Sequence, residues 1–169
     1  MKENLSKKIA FTACLATIVC VTTYAIAIPL PIGGYFNAGD IFVLLCGWLI
    51  GPWYGALAAG LGAALADCFL GYVPYAPATF IIKGIMAVLA YWGLAKSKKK
   101  HAKFAGIFFA EAFMVVGYYV FEGFVYGFYP SCANIIPNCV QGLFGFAASI
   151  LIIKLLVKNK IFTKNNPRL

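Results

Sequence analysis

Between three short basic clusters this chain is built almost entirely of uncharged, apolar stretches about as long as a bilayer is thick, and few folds can accommodate that. Residues 9–30 contain no charge, and a helix needs about 20 residues to cross the hydrocarbon. The next run, 40–71, is too long for one comfortable span. Of 169 residues, 63% are hydrophobic and only 11% charged, so a soluble domain of this size would lack the polar surface it needs. The fold class expected is all-α integral membrane, a single domain over 1–169.

Turn residues divide the runs. Pro29 and Pro31 end the first, and 33–39 is a turn-rich loop. Gly51 and Pro52 split the second run, because proline lacks an amide donor and clashes with the preceding turn. Six helices are expected, at about 9–30, 41–51, 53–71, 78–95, 104–128 and 137–158. The first is longer than a signal core and lacks a small-residue cleavage site before a polar mature chain, so it reads as retained.

Charge gives the orientation. The basic residues are Lys2, Lys7 and Lys8, then those within 96–103, then those within 154–168. With the amino terminus in the cytoplasm, six spans bring all three clusters to the cytoplasmic side, as the positive-inside rule requires. A single span over 41–71 would put the middle cluster outside. The expectation is a six-transmembrane-helix bundle with both termini cytoplasmic. The net charge of +9 is confined to these flanks, with no basic face interleaved with aromatics, so no nucleic-acid partner is expected.

Several chemistries lack their residues. There is one histidine, His101, and no cysteine pair is spaced as CxxC, so no metal site is expected. Cys132 and Cys139 flank the expected last outer loop, where a disulfide is allowed but not required. No GxxxxGK[ST], HExxH or GxSxG segment occurs, which leaves no ATPase or hydrolase apparatus and no expected cofactor.

What remains is a set of polar residues in apolar surroundings. Asp40, Asp67, Glu111, Glu122 and Lys83 lie in or at the ends of the expected helices. A charge at the bilayer centre costs roughly 2.5–3.5 kcal/mol, so such groups usually face a bundle interior and mark function. At about 1.5 Å rise per residue, all but Glu111 fall in the outer third, where Asn138 and Gln141 open the last helix. Glu111, Val115, Tyr118, Glu122 and Tyr126 form one stripe of helix five. Aromatic walls with a few placed polar groups are how small-molecule pockets are built. The candidate substrate-binding residues are Tyr35, Asn37, Asp40, Asp67, Tyr75, Lys83, Tyr118, Glu122, Asn138 and Gln141, with Tyr72 and Asn134 nearby.

Structural roles compete with this reading. Tyrosines serve as interfacial anchors, Asp40 could cap helix two, and Lys83 could pair with Asp67 or Glu122 as structural glue. Two other function classes stand beside capture of a small molecule: a membrane enzyme acting on a lipid-like substrate through Asp67 and Glu122, and a structural membrane subunit.

The segments PIGGYFNAGD (31–40), GPWYG (51–55), ALAD (64–67) and YAPATFIIKG (75–84) resemble the substrate-binding (S) components of energy-coupling factor (ECF) vitamin transporters. The likeness covers about 10–95 well and leans toward the hydroxymethylpyrimidine, pyridoxine and riboflavin-like branch. It implies a vitamin-capture subunit in a prokaryotic cell membrane, with 33–39 as a lid. The implied partners are a transmembrane coupling protein and two cytoplasmic ATPases. The family docks on its coupling protein through an alanine-x-x-x-alanine face of helix one. Here that face is carried by Thr12, Ala13, Ala16, Thr17 and Cys20, small residues that permit close helix approach.

Overall fold

A computed structural model of the chain describes residues 5–96 and 100–159. Expectations resting on Lys2, on 97–99 and on 160–168 lie outside the described residues. The chain runs α1 (Leu5–Ala25), β1 (Ala27–Pro29), β2 (Tyr35–Asn37), α2 (Asp40–Ile50), α3 (Pro52–Phe69) and α4 (Ala76–Tyr91). A single π-helical stretch, Trp92–Lys96, extends α4. Then follow α5 (Lys100–Tyr126), the one-turn α6 (Phe128–Ser131) and α7 (Ile135–Lys158).

The first helix stops at Ala25, short of the expected residue 30. The residues beyond it leave the helix and pair antiparallel with the segment after the turn, Ala27 with Asn37 and Pro29 with Tyr35. Ile26 and Ile28 suit extended backbone as well as helix in a short apolar run, and Pro29 disfavours continuing the helix. A small β-hairpin thus takes its first strand from the end of the expected helix and its second from the expected loop 33–39.

Among the described residues, four segments are long and apolar enough to cross a membrane: Leu5–Ala25, Val73–Lys96, His101–Tyr126 and Phe128–Lys158. The other two expected spans differ in kind. α2 has 11 residues and is only about 16 Å long. Val43, Leu44, Leu45, Cys46, Gly47 and Trp48 are all buried, so it is apolar on every side because protein surrounds it. α3 is built on small residues, with Gly55, Ala58, Ala59, Gly60, Gly62, Ala63 and Ala66 buried. These let it pack closely against α1, α2 and α4. At Gly51 (φ +88°) the chain reverses, so that α3 folds back on α2.

The core lies where α2, α3, α4 and α5 meet, among Val43, Leu44, Ala59, Met86, Ile107 and Met114. Outward-facing side chains such as Phe11, Ile18, Phe108, Phe124 and Leu143 are exposed, an apolar girdle that suits lipid and not water. The helices alternate in direction. One end of the bundle gathers the hairpin, Asp67, Tyr75 and Glu122, while Lys7, Lys8, Lys96, Lys103, Lys154 and Lys158 fall toward the other.

Backbone proximity is the most demanding feature of this packing. A Cβ added at Gly47 would overlap the backbone carbonyl of Ala87 on α4. Gly47→Ala is therefore expected to cost about 1–3 kcal/mol, read as a lower midpoint of thermal unfolding in detergent; an unchanged midpoint would contradict this contact.

Candidate binding site

The site grows from the first residue of α2. Asp40 is only 1% exposed, and its carboxylate does not cap its helix, where no side-chain cap bond forms at Gly39. Oδ1 pairs with Lys83 Nζ, and Oδ2 accepts from Gln141 Nε2 at 2.6 Å. Lys83 stands about 10 Å along α4 from its first residue. Asp40 therefore begins α2 inside the bundle, deeper than the outer boundary where its place in the sequence put it. Lys83 also lies 5.4 Å from the centre of the Tyr118 ring. Its ion-pair partner is Asp40, not Asp67 or Glu122 as either structural alternative had it.

Gln141 relays this pair to the hairpin. Its Oε1 accepts the Asn37 backbone amide at 2.8 Å, and Asn37 Oδ1 in turn accepts the Gly39 amide at 2.9 Å. Above this floor sits a cavity of about 20 Å³, room for roughly one water as it stands. Seven of the ten candidate residues line it: Tyr35, Asn37, Asp67, Tyr75, Tyr118, Glu122 and Asn138. The other three, Asp40, Lys83 and Gln141, form the bonded floor.

The walls combine aromatic faces with carboxylates. Tyr35 from β2 donates to Asp67 Oδ1 at 2.5 Å, and its ring packs 4.9 Å from Tyr72. Burial, reinforced by the Asp67 carboxylate beside it, pushes the Tyr35 phenol up and keeps it a neutral donor. Tyr75 donates to Glu122 Oε1 at 3.3 Å, and Asn134 Nδ2 donates to the same oxygen at 3.0 Å. Thr79 and Tyr118 share a hydrogen bond at 3.1 Å. The remaining oxygens, Asp67 Oδ2 and Glu122 Oε2, are buried with no hydrogen-bond partner among the described residues. Asp67 is 2% exposed, so it does not reach toward headgroups.

Leu30, Gly34 and Thr79 also line the cavity and were not among the candidates. Thr79 was findable, since it falls midway between Tyr75, at the residue before α4, and Lys83, at a spacing of four residues along one helical face. Gly34 has φ +71°, and a Cβ there would come within 3.2 Å of the Tyr75 ring. Glu111 lies outside the lining, buried against Gly142 and Gly145, and neither of its oxygens is bonded among the described residues. Cys132 and Cys139 are free thiols.

The small face of α1 divides in two. Thr12 is buried and its hydroxyl bonds the Lys8 carbonyl, while Ala16 and Cys20 are half-buried, with the Ala16 carbonyl lying against Gly62 of α3. Thr12 thus packs inward and is unavailable to a partner. Ala13 and Thr17 are exposed, and the Thr17 hydroxyl is satisfied by the Ala13 carbonyl.

A helical membrane protein with a small, enclosed, carboxylate-bearing site under a hairpin has the make of a small-molecule binding subunit. The chain belongs to the family of S components of the ECF-type riboflavin transporter, which it matches over residues 3–158. A Pyrococcus woesei protein described as an uncharacterized protein in gap 3'region is 36% identical over 129 residues, covering 75% of this chain and 86% of that one. The thiamine precursor transporter HmpT of Lactococcus lactis subsp. cremoris (strain MG1363) is 26% identical over 163 residues, 95% of this chain and 94% of its own length. The chain is thus a multi-pass membrane protein and a substrate-binding transporter subunit for a vitamin or vitamin precursor, not an enzyme.

The buried pair gives a sharp expectation. Lys83→Met leaves the Asp40 carboxylate without its countercharge and should cost about 3–5 kcal/mol. Adding Asp40→Asn should recover part of that loss. Thermal unfolding of Lys83→Met, Asp40→Asn and the double variant in detergent reads both, and simple additivity would contradict the pairing.

Proposed function

We propose that this chain is the substrate-capture subunit of an ATP-driven ECF-type importer in a prokaryotic plasma membrane, taking up hydroxymethylpyrimidine or a similar pyrimidine or pyridine alcohol at its outer face. The observation that carries this reading is the pair of carboxylate oxygens, Asp67 Oδ2 and Glu122 Oε2, buried without partners on residues that line one cavity. An unpaired buried acceptor is costly, and a ligand bearing N–H or O–H donors would satisfy both. Aromatic rings of Tyr35, Tyr75 and Tyr118 would sandwich a flat heterocycle. A strongly anionic ligand would meet two carboxylates, and Lys83 is already engaged by Asp40.

The full-length likeness to a thiamine precursor transporter supports the pyrimidine class. Riboflavin is the second reading, favoured by the family's description. It would need a far larger opening of the hairpin than a single-ring ligand does. Even hydroxymethylpyrimidine exceeds the cavity as it stands, so entry requires the hairpin to move.

Placing the basic end of the bundle inside the cell puts both termini in the cytoplasm. Six helices alternate in direction, with the short, protein-enclosed α2 crossing only part of the bilayer. The hairpin then faces outward. The chain carries no ATPase motif, so energy would come from a transmembrane coupling protein and two cytoplasmic ATPases. Ala13 and Thr17 offer the exposed small surface for docking, flanked by the half-buried Ala16 and Cys20.

Titration of purified protein with hydroxymethylpyrimidine, pyridoxine and riboflavin, followed by calorimetry, tests the ligand class. Asp67→Ala and Glu122→Ala should each weaken binding of the preferred ligand about 10- to 100-fold. Wild-type affinity in both variants would remove the site assignment. Docking has its own test. Thr17→Leu should abolish uptake in cells carrying the ATPase module while leaving ligand affinity intact, and unimpaired uptake would contradict docking on that face.

A further inference from the structure

The hairpin is fastened at two points, each time by a carboxamide that also holds a carboxylate. At the turn, Asn134 Nδ2 donates to the Gly33 carbonyl at 2.9 Å and to Glu122 Oε1 at 3.0 Å, while the Ile32 amide donates to Asn134 Oδ1 at 3.5 Å. At the far end, Gln141 Oε1 accepts the Asn37 amide at 2.8 Å as Nε2 donates to Asp40. Both side chains are essentially fully buried, and neither lines the cavity. Two strands of three residues cannot hold such a hairpin down unaided.

We propose that Asn134 and Gln141 are positioning residues that clasp segment 30–37 over the cavity and thereby set how fast a bound heterocycle escapes. The inference rests on the reading of the cavity as the ligand site. Lifting the hairpin breaks a bond at each clasp in a dry setting, where a freed backbone group is expensive. The two clasps grip different anchors, Glu122 on α5 and Asp40 on α2, so opening must release the segment from both. Asn134 comes from the turn before α7 and Gln141 from its second turn, which makes the start of α7 the part of the bundle that governs the hairpin.

Two measurements on the full chain in detergent test this. The first needs no ligand: hydrogen–deuterium exchange resolved to single amides. Asn134→Leu should speed exchange at Ile32, and Gln141→Met at Asn37, each about tenfold, with α3 and α5 unchanged. Asn134→Ser serves if the leucine variant does not fold. The second is stopped-flow release of hydroxymethylpyrimidine, where either variant should raise the dissociation rate about tenfold with the association rate nearly unaltered. Unchanged exchange at both amides overturns the clasp, as does acceleration spread over the whole chain. Faster local exchange with an unchanged dissociation rate overturns the kinetic role. Faster local exchange in a protein that binds none of the three vitamins supports the clasp and refutes the proposed function instead.

Discussion

A lysine and an aspartate buried together among apolar helices constrain everything around them. Lys83 and Asp40 are 2% and 1% exposed, and either alone would be an uncompensated charge in a medium that penalises it severely. Their pairing fixes the start of α2 against the middle of α4. Because Gln141 bonds the second oxygen of Asp40, the same pair draws in α7. Three helices distant in sequence thereby meet at one floor, and the hairpin is pinned above it through Asn37.

This floor explains why extended backbone is tolerated so far inside an apolar bundle. Peptide groups released from a helix must find partners when lipid surrounds the protein. Here some partners are within the hairpin, as where the Leu30 amide meets the Gly34 carbonyl at 3.1 Å. Others are the carboxamides of Asn134 and Gln141. The result is a cover that is satisfied when seated and costly to lift, resting on carboxylates that still have an oxygen to offer. Helices supply most of the walls, and the cover is confined to residues 26–39 between α1 and α2.

Much of this was legible in the residues. Proline and glycine positions, apolar length and the sparsity of charge pointed to the helices, and the rarity of polar groups in apolar runs marked those that converge. The rest depended on distances no single sequence states. Residues 26–28 suited helix and strand patterns alike, so the first strand of the hairpin was absorbed into the first helix. The burial of α2 on all sides was hidden because a continuous apolar run looks the same facing lipid or protein. Sequence offered Asp67 or Glu122 as the partner of Lys83, and only the fold selects Asp40. Thr12 and Ala13 are adjacent small residues on a helix of even hydrophobicity, and packing against α3 alone decides that one turns inward and the other stays exposed.

The central claim is that the cavity beneath the hairpin is a recognition site for a small donor-bearing heterocycle. Native mass spectrometry of the protein purified from its own membranes tests it most directly. The account predicts a population heavier than the bare chain by the mass of one vitamin or vitamin precursor, displaced by added hydroxymethylpyrimidine. A bare chain that stays bare when each candidate vitamin is supplied in excess would contradict it.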